Sequence, residues 1–377
     1  MKVLFVTHDA GLYGASRSLQ PIVKGFAGDL VDLMVSRRFA DNVPVAELRN
    51  RFGSHLRRIY RYFLPFDRIY KGKDPRGGRA AMTSAAREAL WLMQRSAVRR
   101  IFDEERYDVI HLNSLTLFRL IDRAHPFYIH VREIYDGSDA GVYESLQAAR
   151  GVIFIDDATK KPFERVSLPR SVVLNNPFDM TAVERYRRAA SMNGGPDSSK
   201  VVFALIGKLS ENKGTVFLIE TFRMLKRQDA VLLIVGEGEG DFLELCRRAA
   251  GGDARVHFLG EEPEIAKVYA AADYILRGEA YPCVGRTVYE GLYAGCEVIV
   301  PGGEGAEAGF FETDRFSDKI HFYDPRNTQS LLRQLERHAE RKVPREQSLS
   351  NVPEYLRQFK AFVCPAQDEV VLPPAGP

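Results

Sequence analysis

Short apolar runs alternate with helix-like runs along nearly the whole chain, and this alternation limits the fold more than any other feature. In the first half the strand-like runs are Lys2–Thr7, Val31–Val35, 108–112, 127–131, 151–155 and 171–175. A second series begins at Val201 and continues through 231–235, 255–259, 273–276 and 297–300. Helix-like runs fall between these, near 215–227, 240–250, 263–271 and 286–294, and two more follow at 327–340 and 352–363. Continuous apolar runs suit strands buried on both faces, and parallel neighbours require a helical crossover between them. The pattern therefore predicts parallel sheets covered by helices. The stretch 184–200, ERYRRAASMNGGPDSSK, is polar and reads as a linker.

The chain has 377 residues, enough for about two domains. The expected architecture is α/β, with two tandem Rossmann-like domains facing a cleft. Their spans are 1–180 and 181–350, with a helix over 351–364 that crosses back to the first domain and a disordered tail over 365–377. No internal repeat is evident. The four cysteines (Cys246, Cys283, Cys296, Cys364) have no metal-type or disulfide-framework spacing, which suits a reducing cytoplasm. No apolar run is long enough to span a membrane, and the N-terminal run before His8 is too short for a signal peptide.

Net charge is only +3, but it is unevenly spread. Residues 51–100 hold thirteen Lys and Arg against three acids, Asp67, Asp74 and Glu88. Aromatic and apolar residues interleave with the cations in LRRIYRYFLPFDRIYKGK. This composition suits an anionic lipid surface or another polyanion, and a solvated helix face with a flexible loop around PRGGRAA is the plainer alternative.

The stretch VVFALIGKLSENKG (201–214) carries the sharpest local signal. A buried strand ends at Gly207, Lys208 and Lys213 stand five residues apart on a polar loop, and a helix follows. Such a loop lies at the carboxyl edge of an open sheet, where α/β proteins bind ligands. Two ammonium groups beside a helix N-terminus favour a diphosphate, although a solvated turn is an equally simple reading. Three further segments belong to the same edge. VLLIVGEGEG is a strand followed by glycines, which alone requires only a tight turn. Phe258-Leu259-Gly260 ends a strand where backbone groups suit a flat base. Gly285-Arg286-Thr287 opens a helix, with Glu290 one turn later, placed to accept hydrogen bonds from a ribose or to cap the helix. Lys208, Lys213, Arg286 and Glu290 together describe a nucleoside diphosphate site.

These residues resemble the GT-B glycosyltransferases, specifically glycosyltransferase family 4, over nearly the whole chain. The family pattern G-[RK]-x4-K-G matches Gly207 to Gly214. Asn176-Pro177-Phe178-Asp179 loosely matches its N-G-V-D, and Ala272–Leu276 its x-A-D-x-x-L region. RTVYEGLYAGCEVIVP matches the helix ending E-A-x-A-x-G-x-P-V-I. The resemblance implies that Lys208 and Lys213 hold the donor diphosphate and Glu290 the ribose. It gives the phosphates to the backbone of Arg286, Thr287 and Val288, with Gly207, Leu259 and Gly14 also on the donor side. The family's first glutamate falls at Pro282, so Glu279 is the nearest candidate for that part, through a short insertion. In the first half, Gly11, Gly14 and Arg17 resemble the family's glycine loop, with Ser16 where it has Glu. FYIHVREIYD resembles the strand ending in an H-D or H-E pair. That alignment puts Glu133 at the acid and Arg132 at the histidine, with His130 two residues earlier. His130 joins the catalytic candidates Lys208, Lys213 and Glu279, while Gly11, Arg17, Arg132 and Glu133 fall on the acceptor side. His111 reads as core and His8 as a weaker cleft candidate.

The activity implied is that of a retaining glycosyltransferase. It moves a sugar from a UDP- or GDP-sugar to a glycan or lipid-linked acceptor, in polysaccharide or lipopolysaccharide biosynthesis at the cytoplasmic face of the membrane. With no D-x-D on a predicted loop and three cations at the diphosphate, no metal and no cofactor are expected. Residues 51–100 would meet anionic headgroups. A GT-B-fold protein that binds a sugar nucleotide or glycan without catalysis is the alternative. A nucleic-acid surface is disfavoured because no recognisable RNA or DNA module is present.

Overall fold

The computed structural model describes residues 1–11, 14–38, 42–65, 78–137, 139–192, 200–238, 240–280, 285–302, 313–344 and 346–364. The side chains of 78–84, 191, 192, 313 and 314 fall outside the description. Two compact units form: Met1–Pro177 together with Val352–Pro377, and Phe178–Asn351. The predicted tail, 365–377, and the Gly-Gly-Pro of the expected linker lie outside the described residues.

The first unit is built on β1 (Lys2–Thr7), β2 (Leu30–Ser36), β3 (Arg58–Tyr62), β4 (Val109–Leu112), β5 (Phe127–Val131), β6 (Gly151–Phe154) and β7 (Ser171–Val173). They lie in the order β3-β2-β1-β4-β5-β6-β7, every neighbouring pair parallel. The second unit uses β8 (Val201–Ile206), β9 (Ala230–Val235), β10 (Val256–Gly260), β11 (Tyr274–Leu276), β12 (Glu297–Pro301) and β13 (Ile320–Tyr323). Their order is β10-β9-β8-β11-β12-β13, again all parallel.

Both sheets grow outward in two directions from their first strand. This creates a switch point between β1 and β4 in one unit and between β8 and β11 in the other. Chains leaving the two central strands there diverge to opposite faces and leave a crevice at the carboxyl edge. The central strands read as unbroken apolar runs because both faces are covered. In β1, Val3 and Phe5 join one core cluster and Leu4 and Val6 the other. In β8, Phe203 and Leu205 face one way and Ala204 and Ile206 the other. Each such large side chain, fully buried, contributes about 1.5–3 kcal/mol. The helix Val352–Val363 belongs to the first unit through Tyr355, Phe359, Phe362 and Val363, which pack in the cluster holding Val3 and Phe5.

Two expectations need correction. The stretch read as a linker is largely the helix Ala182–Met192. Val183 is buried and Arg187 donates to the Glu346 carbonyl at 2.7 Å, so this helix is packed into the second unit. The basic segment contains a missed strand, β3. Its cations are partly consumed by the fold: Asp32, wholly buried on β2, accepts from Arg57 Nε and from the Arg58 amide, both at 3.0 Å. Arg57 also reaches Glu105 at 2.7 Å, and hydrogen bonds to Asp32 and Glu105 push its pKa up. Arg51 bonds the Ala10 carbonyl and Arg87 the Ser36 hydroxyl. Arg95, Arg99 and Arg100 remain on exposed positions of the helix Gly78–Glu105, beside the exposed Leu92 and Met93. Arg68, Lys71, Lys73 and Arg76 lie outside the described residues. Among the described residues no helix is long and apolar enough to cross a membrane.

Candidate diphosphate site

At the switch point of the second sheet, the loops leaving β8 and β11 come into direct contact. Beyond β8 the chain turns at Gly207, presents Lys208 to solvent, and makes a short 3-10 turn, Glu211–Lys213. Gly214 then adopts a left-handed φ of 63° and starts the helix Thr215–Met224. A Cβ on Gly214 would stand 1.7 Å from the Gly278 carbonyl oxygen, so the second loop passes directly against it. The family-like glycine after Lys213 is therefore required twice, for its backbone angle and for this approach. Leu209 fastens the loop to β9 by donating its amide to the Glu237 carbonyl at 2.8 Å.

This approach brings Lys213 to Glu279. Lys213 Nζ donates to Glu279 Oε1 at 3.1 Å. Arg277, the first residue after β11, grips the same carboxylate through Nε on Oε2 at 3.2 Å and Nη2 on Oε1. Its remaining Nη1 donates to Thr287 Oγ1 at 2.6 Å. Glu279 is fully buried and Arg277 is 7% exposed, whereas the Lys213 side chain is 41% exposed. Burial pushes the Glu279 carboxyl up, but the charges of Arg277 and Lys213 outweigh it and hold the group below the usual carboxylate range. One buried anion thus stands against two cations, and the more accessible cation is Lys213. Arg277 also ties the loop to the start of the helix Arg286–Tyr293, and its own carbonyl accepts from Tyr323 Oη at 2.6 Å. Sequence reasoning overlooked Arg277. The available signal was a cation directly after a buried strand and two residues before a carboxylate, a spacing that lets one guanidinium fold back on it.

Arg286 and Glu290 pair along their own helix, with Nε to Oε1 at 2.8 Å. Glu290 Oε2 accepts from Tyr269 Oη at 2.8 Å, another residue not picked out from sequence. The Arg286 guanidinium also lies 5.0 Å over the Phe178 ring. Glu290 is fully buried. Gly285 supplies no side-chain cap to this helix, and the Val288 amide donates to the Gly285 carbonyl at 3.0 Å. Leu259, the last residue but one of β10, is 49% exposed. Beside it a pocket opens between the ends of β9 and β10, lined by Gly236, Glu237, Gly238, Phe258, Gly260 and Arg247 among others. Pro282 lies outside the described residues.

The corresponding edge of the first unit is different in kind. Asp9 follows β1, accepts from the Gly11 amide at 2.9 Å and pairs with Arg38. Gly14 is exposed at the first position of the helix Gly14–Lys24, Arg17 is half-buried within it, and the Ser16 hydroxyl is buried. Glu133 accepts from the Ser114 hydroxyl and from the Leu115 and Arg132 amides, stitching the ends of β4 and β5 together. Arg132 donates to Asn113 Oδ1 at 3.1 Å, to Asn176 and to His130 Nδ1 at 3.2 Å. His130 is fully buried, 3.4 Å from the equally buried His111. Burial, then Arg132 and His111, keeps its imidazole well below the usual histidine pKa. His130 is thus an interior histidine behind Arg132 rather than a surface-facing group, and of the two the half-buried Arg132 is the accessible one. His8 is partly buried, with its pKa lowered mainly by burial.

Residues 188–337 match the family model described as Glycosyl transferases group 1. No curated protein matches the chain in sequence. Solved structures do match it in shape. Anabaena Alr3699/HepE, in complex with UDP and glucose, superposes with a TM-score of 0.67 at 17% identity, covering 97% of this chain and 100% of that one. Sucrose-phosphate synthase (tll1590) from Thermosynechococcus elongatus gives 0.65 at 14%, covering 96% of each chain. The lipopolysaccharide outer core galactosyltransferase WaaB gives 0.60 at 15%, covering 96% and 99%. At such identities the likeness establishes the fold, two parallel-sheet α/β domains of the GT-B glycosyltransferase type.

Proposed function

We propose that this chain is a retaining, family 4-like glycosyltransferase that takes its sugar from a nucleoside diphosphate donor, with UDP the first candidate. The observation that carries this reading is the switch-point contact in the second unit. There Lys213 is held by a buried carboxylate, Lys208 stands on the same loop, and the neighbouring helix start has no side-chain cap. The group 1 family match over the same unit supports it, as do the UDP and glucose bound to the HepE neighbour. The pocket between β9 and β10, beside Leu259, suits the base, and Glu290 the ribose.

In this account the bond between the anomeric carbon and the diphosphate oxygen breaks, and its electron pair leaves with the diphosphate. Lys208, Lys213 and the helix start at Arg286–Val288 stabilise the charge that develops, without a metal or cofactor. The acceptor hydroxyl bonds the anomeric carbon from the face the diphosphate leaves, and its proton passes to a phosphate oxygen. Arg277 acts as a positioning residue. It keeps Glu279 neutralised when Lys213 turns to the diphosphate, so the carboxylate is not left buried and unpaired. Gly11, Arg17, Arg132 and Glu133 serve the acceptor side, and Gly14 the donor side.

A second reading, a sugar-nucleotide binder without catalysis, draws on the complete burial of Glu279 between Arg277 and Lys213, where the family has a sugar-facing glutamate. Release of UDP from UDP-sugars, in the presence or absence of glycolipid acceptors, separates the two. Turnover above the uncatalysed rate that is lost in Lys213→Ala supports transfer. Donor binding without any UDP release favours the binder.

The acceptor is proposed to be a lipid-linked glycan at a cytoplasmic membrane face. The exposed face of the helix Gly78–Glu105, with Leu92, Met93, Arg95, Arg99 and Arg100, offers apolar side chains among cations, which suits an anionic headgroup layer.

A further inference from the structure

The amino-terminal edge of the second sheet, opposite the loops described above, carries a compact polar cluster. Glu297 opens β12, His321 is the second residue of β13, and His338 sits in the last turn of the helix Thr328–Ala339. That helix follows β13, and its return path brings its last turn back to the edge where β12 and β13 begin. One ligand-capable atom from each residue lies within 4.8 Å of the other two. His321 Nε2 is 2.7 Å from Glu297 Oε2, and His338 Nδ1 is 3.9 Å from the same oxygen. The two imidazoles lie 3.9 Å apart between centroids. Glu297 is 5% and His338 4% exposed. His338 Nε2 is buried with no hydrogen-bond partner among the described residues.

Three polar side chains from three elements meeting at one buried point are costly unless something joins them. Two imidazoles and one carboxylate form a donor set suited to borderline divalent cations. We propose that Glu297, His321 and His338 bind a zinc-class divalent cation, which clamps β12, β13 and the helix Thr328–Ala339 together. The clamp is structural and separate from the diphosphate loops.

Arg341 is the competitor, since its guanidinium donates to Glu297 Oε1. Its side chain is 56% exposed, so it leaves for solvent at little desolvation cost. A cation replaces it on the carboxylate, with water completing a tetrahedral shell of N and O ligands at about 2.0–2.2 Å.

The test uses the full chain, stripped with chelator and titrated with Co²⁺ and then Zn²⁺. One equivalent of Co²⁺ should bind with the visible absorption of a tetrahedral centre, Zn²⁺ should displace it, and Zn²⁺ should raise the melting temperature. His321→Asn and His338→Asn should each weaken binding at least tenfold. Arg341→Ala, at an exposed position, should tighten it several-fold and keeps the test valid if a histidine variant folds poorly. The UDP-induced thermal shift should be unchanged in Arg341→Ala. The proposal is overturned by no saturable binding in either the native chain or Arg341→Ala, or by undiminished binding in both histidine variants.

Discussion

The two units share one topology and differ sharply in what they place at the switch point. Between β8 and β11 stands a charged assembly, with Lys213 and Arg277 around one buried carboxylate and Lys208 exposed beside it. Between β1 and β4, Asn113 donates to the Ala15 carbonyl at 2.9 Å, Glu133 ties the neighbouring ends of β4 and β5, and two buried histidines whose pKa values are lowered by burial lie close by. A parallel sheet with this strand order provides a crevice in either case. What fills the crevice decides whether it attracts a dianion, and among the described residues it is the second unit that sets Lys213 and Arg277 on one buried acid. The first unit instead spends many of its cations on its own architecture, as Arg57 does on Asp32 and Glu105.

The strongest way to break this contrast is at Arg277. Arg277→Ala leaves Glu279 buried with Lys213 as its remaining cation among the described residues, and loss of a buried partner costs about 3–5 kcal/mol. The second unit should unfold at lower denaturant while the first unit's transition is unmoved. Arg277→Ala with Glu279→Gln should recover much of the loss, and equal instability in the single and double variants would remove the pairing argument. Next in size is Lys213→Ala, for which turnover should fall about 10²–10³-fold, the scale of one lost charge-stabilising donor. Arg132→Ala should instead act through the acceptor KM. A loss in turnover equal to that of Lys213→Ala would erase the distinction between the edges.

Acid sharpens the comparison from the other side. His111 is pushed down to about 3 by burial and Arg132, and His130 is lowered by the same causes, against about 6.5 for an unfolded histidine. The unfolded chain binds the extra protons, so stability falls as pH drops below about 6.5 and continues to fall until the folded values are reached. Each such histidine contributes about 1.4 kcal/mol of loss per pH unit in that window. Among the described residues, the comparable histidine of the second unit is His338, lowered to about 4. The first unit should therefore unfold first on acidification. Trp91, the single tryptophan, is buried in that unit and reports it by fluorescence. A Trp91 signal that stays native while the second unit's circular dichroism is lost would contradict the assignment. The smallest effect is expected at the exposed helix face, where Leu92→Asp with Met93→Asp should weaken binding to anionic vesicles several-fold. Equal binding to neutral and anionic vesicles would remove the docking proposal.

Much of this was legible in the sequence, because parallel strands buried on both faces must read as apolar runs and the Lys213-Gly214 turn needs its glycine. β3 was missed because Arg58-Ile59-Tyr60-Arg61-Tyr62 is an edge strand whose Arg58 reaches Glu105, and whose neighbour Arg57 answers the buried Asp32, both far away in sequence. The helix Ala182–Met192 was read as linker because its polar composition hides what anchors it, the buried Val183 and the reach of Arg187 to Glu346. Lys208 and Lys213 announce themselves by spacing. The pairing of Arg277 with Glu279, and the retreat of His130 behind Arg132, depend on burial, which no local pattern encodes.

The central claim is that the β8–β11 switch point of the second unit holds a nucleoside diphosphate. Thermal shift with UDP, GDP and ADP, for the native chain and for Lys213→Ala, tests it most directly, since a ligand bound only to the folded state raises the melting temperature. The account predicts a rise with at least one of these diphosphates, UDP first, that disappears in Lys213→Ala and persists in Arg132→Ala. A full response in Lys213→Ala would contradict it.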